Sequence, residues 1–216
     1  MTTLRLKHSL AIRWFHWVNF PLLASMIWSG LLIYWAFSPY HLGPLHFFPA
    51  WFVSALHLDH RLAEGMALHF TLMWLFVLNG IAYVLYTAIS GEWRYLVPQS
   101  WSAFSEAWAV LLHDLHIRSM PPPSGEKYNA AQQVSYSLIV LMGVGSFITG
   151  LAIYKPAQLA WLTALSGGYP TARLLHFALT IGYVLFFTVH VVQVALAGWN
   201  NFRSMVIGYE VAREKR

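Results

Sequence analysis

Two histidines, His176 and His190, lie fourteen positions apart in one long apolar run, 172–198. A helix turns about 100° and rises ~1.5 Å per residue, so His190 returns to within about 40° of His176, roughly 21 Å further along the axis. One helix face therefore offers two imidazoles at two depths. Ionisable residues inside a membrane span are costly and usually face the protein interior in a functional role, so each asks for a partner at its own level. Two more histidines answer: His16, early in the apolar run 12–37, and His69, early in the run 62–89.

Four runs, 12–37, 62–89, 131–154 and 172–198, are long enough to cross a bilayer, since about 20 helical residues span its ~30 Å hydrocarbon core. An even number of spans returns both termini to one side. That side would carry ten cations: Arg5, Lys7, Arg13, Arg94, Arg118, Lys127, Arg203, Arg213, Lys215 and Arg216. The other would carry Arg61, Lys155 and Arg173. The asymmetry predicts cytoplasmic termini. His16 then lies at the depth of His190, near the inner face, and His69 at the depth of His176, near the outer face. The four sort into two pairs by topology and spacing alone.

The chain has no cysteine, which removes disulfides, iron–sulfur clusters, thiolate zinc sites and covalent c-type haem. Zinc on the paired histidines would need further ligands, and no acidic residue lies deep in the spans. Two neutral imidazoles facing each other across an apolar gap suit the axial positions of haem iron. His16, His69, His176 and His190 are thus the expected metal ligands of two non-covalent b-type haems. With both axial positions filled, the expected work is electron transfer, and no catalytic residue is assigned.

The composition, 58% hydrophobic and 10% charged, is that of a membrane protein rather than a soluble domain. The cations fall at the chain ends and in one loop, not along a stripe, so the formal charge of +5 reads as positive-inside topology and not as nucleic-acid binding. The N-terminal apolar run is long for a signal peptide and lacks a small-x-small cleavage site, so it reads as a retained first span. The expected fold is all-α: a transmembrane four-helix bundle binding two haems, plus a short interfacial helix, in a single domain over residues 1–216.

The interfacial helix is read from WSAFSEAWAVLLHDLHI, where Trp101, Phe104, Trp108, Leu111, Leu112 and Leu115 recur at helical spacing. His113 and His116 sit near its polar side and read as solvated. The run Pro121, Pro122, Pro123, Ser124, Gly125 then breaks the chain before the third span. Gly143, Gly145, Ser146 and Gly150 in that span point to close helix packing. Gly30, fourteen after His16, and Gly80, eleven after His69, would leave room for a porphyrin edge. Arg13 and Arg173 each precede a histidine by three positions and would meet haem propionates, or else snorkel to the interface. The outer loop 38–61 is rich in aromatics and histidine and reads as a segment at the headgroups or under a partner. A metal site on His57, Asp59 and His60 is a weaker reading, because the spacing matches no ligand motif.

At RWFHW around His16, LHF with MWLFVLNG around His69, and the two histidines of the last span, the sequence resembles the bacterial di-haem cytochrome b family. This is the cytochrome b561 and nickel-hydrogenase b-type cytochrome group, which includes membrane subunits of formate dehydrogenase and thiosulfate reductase. The resemblance covers nearly the whole chain and implies the same pairing, His16 with His190 and His69 with His176. KYNAAQQ (127–133) is similar to the K-Y-N-x-G-Q segment that lies against quinone in the formate dehydrogenase membrane subunit. It implies Asn129 and Gln132 as quinone contacts, with Ala131 standing where that relative has glycine. Read without the resemblance, Asn129 is an ordinary helix cap. LSGGYPTARLLHF and WNNFRSMVIGYE look like thiosulfate-reductase-type members found with molybdopterin oxidoreductases, which implies a periplasmic molybdenum enzyme as partner.

The expected protein is therefore a multi-pass subunit of the bacterial inner membrane, in contact with lipid. It would carry electrons between the quinone/quinol pool and a periplasmic oxidoreductase subunit. Two rivals are a free-standing superoxide:quinone oxidoreductase of the same fold and a haem-free transporter whose histidines relay protons.

Overall fold

The structure, a computed structural model, describes residues 2–36, 40–42, 45–114, 116–119 and 127–213. In chain order the elements are β1 (Thr2–Leu6), α1 (Leu10–Tyr34), β2 (His41–Leu42), β3 (Leu45–His46), α2 (Ala50–Ala55) and α3 (Leu62–Ser90). They continue with α4 (Trp93–Leu96), α5 (Ser102–Asp114), α6 (Ala130–Tyr154), α7 (Ala160–Leu165), α8 (Tyr169–Ile207) and β4 (Tyr209–Arg213). Four helices, α1, α3, α6 and α8, are long and apolar enough to cross a membrane. Large side chains such as Leu78, Leu85, Leu141, Leu185 and Leu196 stand exposed on three of them, as lipid-facing positions should. The class is all-α, as expected.

The chain divides into two compact units, Leu10–Tyr83 and Met1–Ser9 with Val84–Arg216. In the first, α1 and α3 approach closely at Gly65. A Cβ built there would lie 2.8 Å from Leu32 Cβ and 3.1 Å from the Ile33 nitrogen. The absent side chain is what lets the two backbones meet. Between α1 and α3 lies an aromatic cluster in which Tyr34 packs on Tyr40 and Phe48, and Phe48 stacks on Phe52 at 5.0 Å. His57, Asp59 and His60 lie in a turn before α3. Among the described residues there is no group of three or more histidine, cysteine or acidic side chains able to hold a metal, so that weaker reading falls away.

In the second unit α6 packs along α8, and the small residues of α6 face it as expected: a Gly145 Cβ would lie 3.2 Å from Leu179 Cδ1 and a Gly143 Cβ 3.8 Å from the Tyr183 hydroxyl. Short helix α7 closes one end, burying Ala152, Leu162 and Ala172 together. The expected interfacial helix is α5. It packs on α6, burying Ala103 and Val110, which recur seven apart, while Trp101, Phe104 and Trp108 on the neighbouring face stay exposed. Leu115 and the Pro121–Gly125 run lie outside the described residues, as does the expected end of the first span at Phe37.

Two features go beyond the sequence reading. The apolar helix breaks at Gly198, where the last span was expected to end, with φ +80°, a conformation that a residue with a Cβ rarely adopts, and a second, more polar helical segment then runs on to Ile207. The chain ends, expected as charged tails, pair as the antiparallel ribbon β1·β4, with Arg5 opposite Glu210 and Leu6 opposite Tyr209. Both are short alternating segments, TLRL and YEVA, whose pairing partner lies some two hundred residues away.

Candidate functional site

His69 lies on α3 in the first unit and His176 on α8 in the second, and both meet the same surroundings. Ser29 on α1 places its Oγ 2.9 Å from His69 Nδ1, and Thr149 on α6 places its Oγ1 2.9 Å from His176 Nδ1. Each hydroxyl already donates its own proton to a carbonyl one turn back on its helix: Ser29 to Met26 at 3.0 Å, Thr149 to Gly145 at 2.7 Å. Its remaining role toward the imidazole is acceptor, so Nδ1–H donates. That network assigns the lone pair of both rings to Nε2, the form in which histidine ligates a metal.

Next to each hydroxyl stands a glycine. A Cβ at Gly30 would lie 3.8 Å from His69 Cε1, and a Cβ at Gly150 would lie 3.3 Å from His176 Cε1. A Ser-Gly step and a Thr-Gly step thus cradle the two rings in the same manner, hydroxyl on Nδ1 and bare backbone beside Cε1. Ser29 and Thr149 are buried. Gly30, where room for a porphyrin edge was expected, lies beside the His69 ring. Gly80 faces open space, and a Cβ there would meet nothing within 4 Å.

His16 lies on α1, its ring edge-on to Trp17 at 5.1 Å. His190 lies on α8, stacked on Phe186 at 5.8 Å with the planes 6° apart. Arg13 stands one turn before His16, and Arg173 one turn before His176 with its guanidinium 5.9 Å over the Tyr169 ring. Of the expected pairs, each takes one histidine from each compact unit.

Asn129 and Gln132 form a reciprocal cap at the start of α6. Asn129 Oδ1 accepts from the Gln132 N–H at 2.9 Å, and Gln132 Oε1 accepts from the Asn129 N–H at 3.0 Å. The cap engages both side-chain oxygens and leaves the two amide NH2 groups outside it. Lys127 is fixed beside them by Glu92 at 2.6 Å, and its ammonium lies 5.3 Å over the Tyr95 ring. Tyr128, between them, is buried against buried His8, hydroxyl to Nδ1 at 3.3 Å. His8 escaped the sequence reading because it lies in a basic tail; its only signal is adjacency to the first span.

The donor set fits haem: neutral imidazoles oriented through Nδ1, inside apolar helices, beside glycines that leave space at the ring. Helical membrane spans carrying such histidines define a b-type cytochrome. Residues 7–208 match the prokaryotic cytochrome b561 family, and the chain belongs to it. It is also similar to a putative protein-methionine-sulfoxide reductase subunit, YedZ1, of Azospira oryzae, 32% identical over 84% of this chain and 86% of the relative. No solved structure matches the chain. The protein is a multi-pass membrane b-type cytochrome of electron transfer, which sets aside the haem-free transporter.

Proposed function

We propose that the chain is a di-haem electron conduit between the quinone pool and a periplasmic oxidoreductase. The observation that carries this is the matched anchoring of His69 and His176, each held at Nδ1 by a hydroxyl so that Nε2 keeps its lone pair. His16 with His190 would hold one haem and His69 with His176 the other, a pairing that rests on helix direction and residue depth. Bound there, haem supplies one-electron exchange with no open coordination position. Arg13 and Arg173 stand one helical turn from a ligand, where a guanidinium can pair with a propionate.

Asn129 and Gln132 are the proposed quinone contacts. Their capping box fixes both side chains, and their NH2 groups are the donors a quinone carbonyl needs. The named role of the relative gives a direction: reducing a methionine sulfoxide to the sulfide and water consumes two electrons and two protons. Quinol is then the donor and the partner, a molybdopterin enzyme at the outer face, the acceptor. Placement in the bacterial inner membrane with cytoplasmic termini follows from the cation asymmetry. The superoxide reading needs a cationic outer funnel, and Arg61 is spent on Glu64 through two hydrogen bonds, so nothing favours it.

The test is a reduced-minus-oxidised spectrum with a pyridine haemochrome assay on detergent-purified protein, followed by quinol addition. Two low-spin b haems per chain, reduced by quinol, are expected. A well-folded protein that takes up no haem when haem is supplied overturns the proposal.

A further inference from the structure

The two hydroxyl–glycine steps do more than identify ligands. Ser29-Gly30 faces His69 across α1 and α3, and Thr149-Gly150 faces His176 across α6 and α8. The steps lie on different helices in different compact units, yet they share one arrangement: 2.9 Å from hydroxyl oxygen to Nδ1 in both, the hydroxyl proton given to a carbonyl three residues back at Ser29 and four back at Thr149, and a glycine beside Cε1 in both.

We propose that Ser29 and Thr149 are a matched pair of positioning residues for the two ligands of one haem, and that they lower its reduction potential. A hydroxyl that has given its proton to a carbonyl is a stronger acceptor, because chained hydrogen bonds polarise one another. Accepting from Nδ1–H raises the basicity of the ring and strengthens its donation through Nε2. A more basic ligand favours ferric over ferrous iron. With both axial ligands treated alike, the two effects act on one metal. The hydroxyls are neutral, so this tuning needs no buried charge.

This inference rests on the haem reading above, and the test separates the two. Ser29→Ala, Thr149→Val and Thr149→Ser are made in the full chain, purified in detergent and titrated potentiometrically, with the ferric electron paramagnetic resonance spectrum recorded alongside. Ser29→Ala and Thr149→Val should raise the midpoint of the same haem, by up to about tenfold in the ferrous-to-ferric ratio at fixed potential, or ~59 mV for a one-electron couple. The other haem serves as the internal standard and should not move. Thr149→Ser keeps the hydroxyl and should restore both the midpoint and the low-spin ferric signal of the native protein. Shifts in different haems from the two variants overturn the inference, as does an unmoved midpoint in fully loaded protein. Absence of haem from the native chain would instead sink the function proposed above.

Discussion

Two regions of this molecule are held together by opposite means. Inside the apolar helices, His69 and His176 are fixed by uncharged hydroxyls whose protons are spent on backbone carbonyls. At the polar end of the second unit, the ribbon β1·β4 is held by charge: Glu210 takes Arg5 at 2.8 Å and Lys7 at 2.9 Å. The difference follows the surroundings. An ion in a membrane span costs several kcal/mol to desolvate, whereas a hydroxyl–imidazole bond satisfies both partners without charge. Where water is near, ion pairs are cheap to form and correspondingly weak. The apolar region is therefore expected to be rigid and indifferent to pH, and the ribbon to be adjustable.

The largest effect should come from the ligands themselves. Replacing His69 or His176 by alanine is expected to remove one haem, the same one in both cases. Alanine at His16 or His190 should remove the other. Haemochrome stoichiometry near half the native value, with the surviving haem's band distinguishing the two sets, is the outcome that supports the pairing. Loss of both haems from a folded single variant, or of neither, breaks it and with it the idea that the hydroxyl-held rings form a unit.

Next in size are the glycines that allow the hydroxyls to reach their rings. Gly65→Ala puts a methyl 2.8 Å from Leu32 Cβ and 3.1 Å from a backbone nitrogen, neither the end of a flexible chain. Overpacking of that kind costs about 1–3 kcal/mol. It should push α1 off α3 and lengthen the Ser29–His69 bond, lowering the melting temperature and disturbing the His69 haem together. Gly80→Ala, with open space around it, should melt at or slightly above the native temperature. Gly150→Ala, at 3.3 Å from the His176 ring, should broaden the haem band more than Gly30→Ala, where the gap is 3.8 Å. Equal responses from these last two would show that the gap at Cε1 does not set what each cradle tolerates.

Much of the apolar region was legible in the sequence, because period, length and histidine spacing are local properties. Helices over 62–89 and 131–154 were placed within a residue at each end, and the small-residue face of α6 does meet α8. Asn129 does cap its helix. What could not be read is what depends on distant chain segments. Ser29 serves a ring forty positions away, and nothing in a Ser-Gly dipeptide marks its direction before the helices are packed. Gly65 sits among many glycines, and only the distance to Leu32 singles it out. The ribbon β1·β4 needs the two ends of the chain to meet, and its alternation of charged and apolar residues resembles an ordinary basic tail. The helical segment after Gly198 is not marked by apolar length, because it is short and polar and follows a backbone break.

The smallest effect is the one that separates the regions most cleanly. Burial pushes the Glu210 carboxyl up, but hydrogen bonds and charge from Lys7 and then Arg5 outweigh it and hold the group below the ordinary glutamate value of 4.5. A carboxyl lowered in the folded state contributes stability that is fully present above its unfolded pKa and is lost as pH falls through the folded one. The ribbon should accordingly be intact at neutral pH and loosen below the ordinary carboxylate range. Glu210→Gln should cost about 1 kcal/mol at neutral pH, be less costly at high salt, and flatten the acid dependence. Amide exchange along β1 reads this locally. The spectrum of the haem on His69 and His176 should not follow it, since neither Ser29 nor Thr149 titrates in that window. If acid or Glu210→Gln moves that haem's midpoint in step with ribbon exchange, the two regions share one energetic unit, and the division between neutral and charged anchors is wrong.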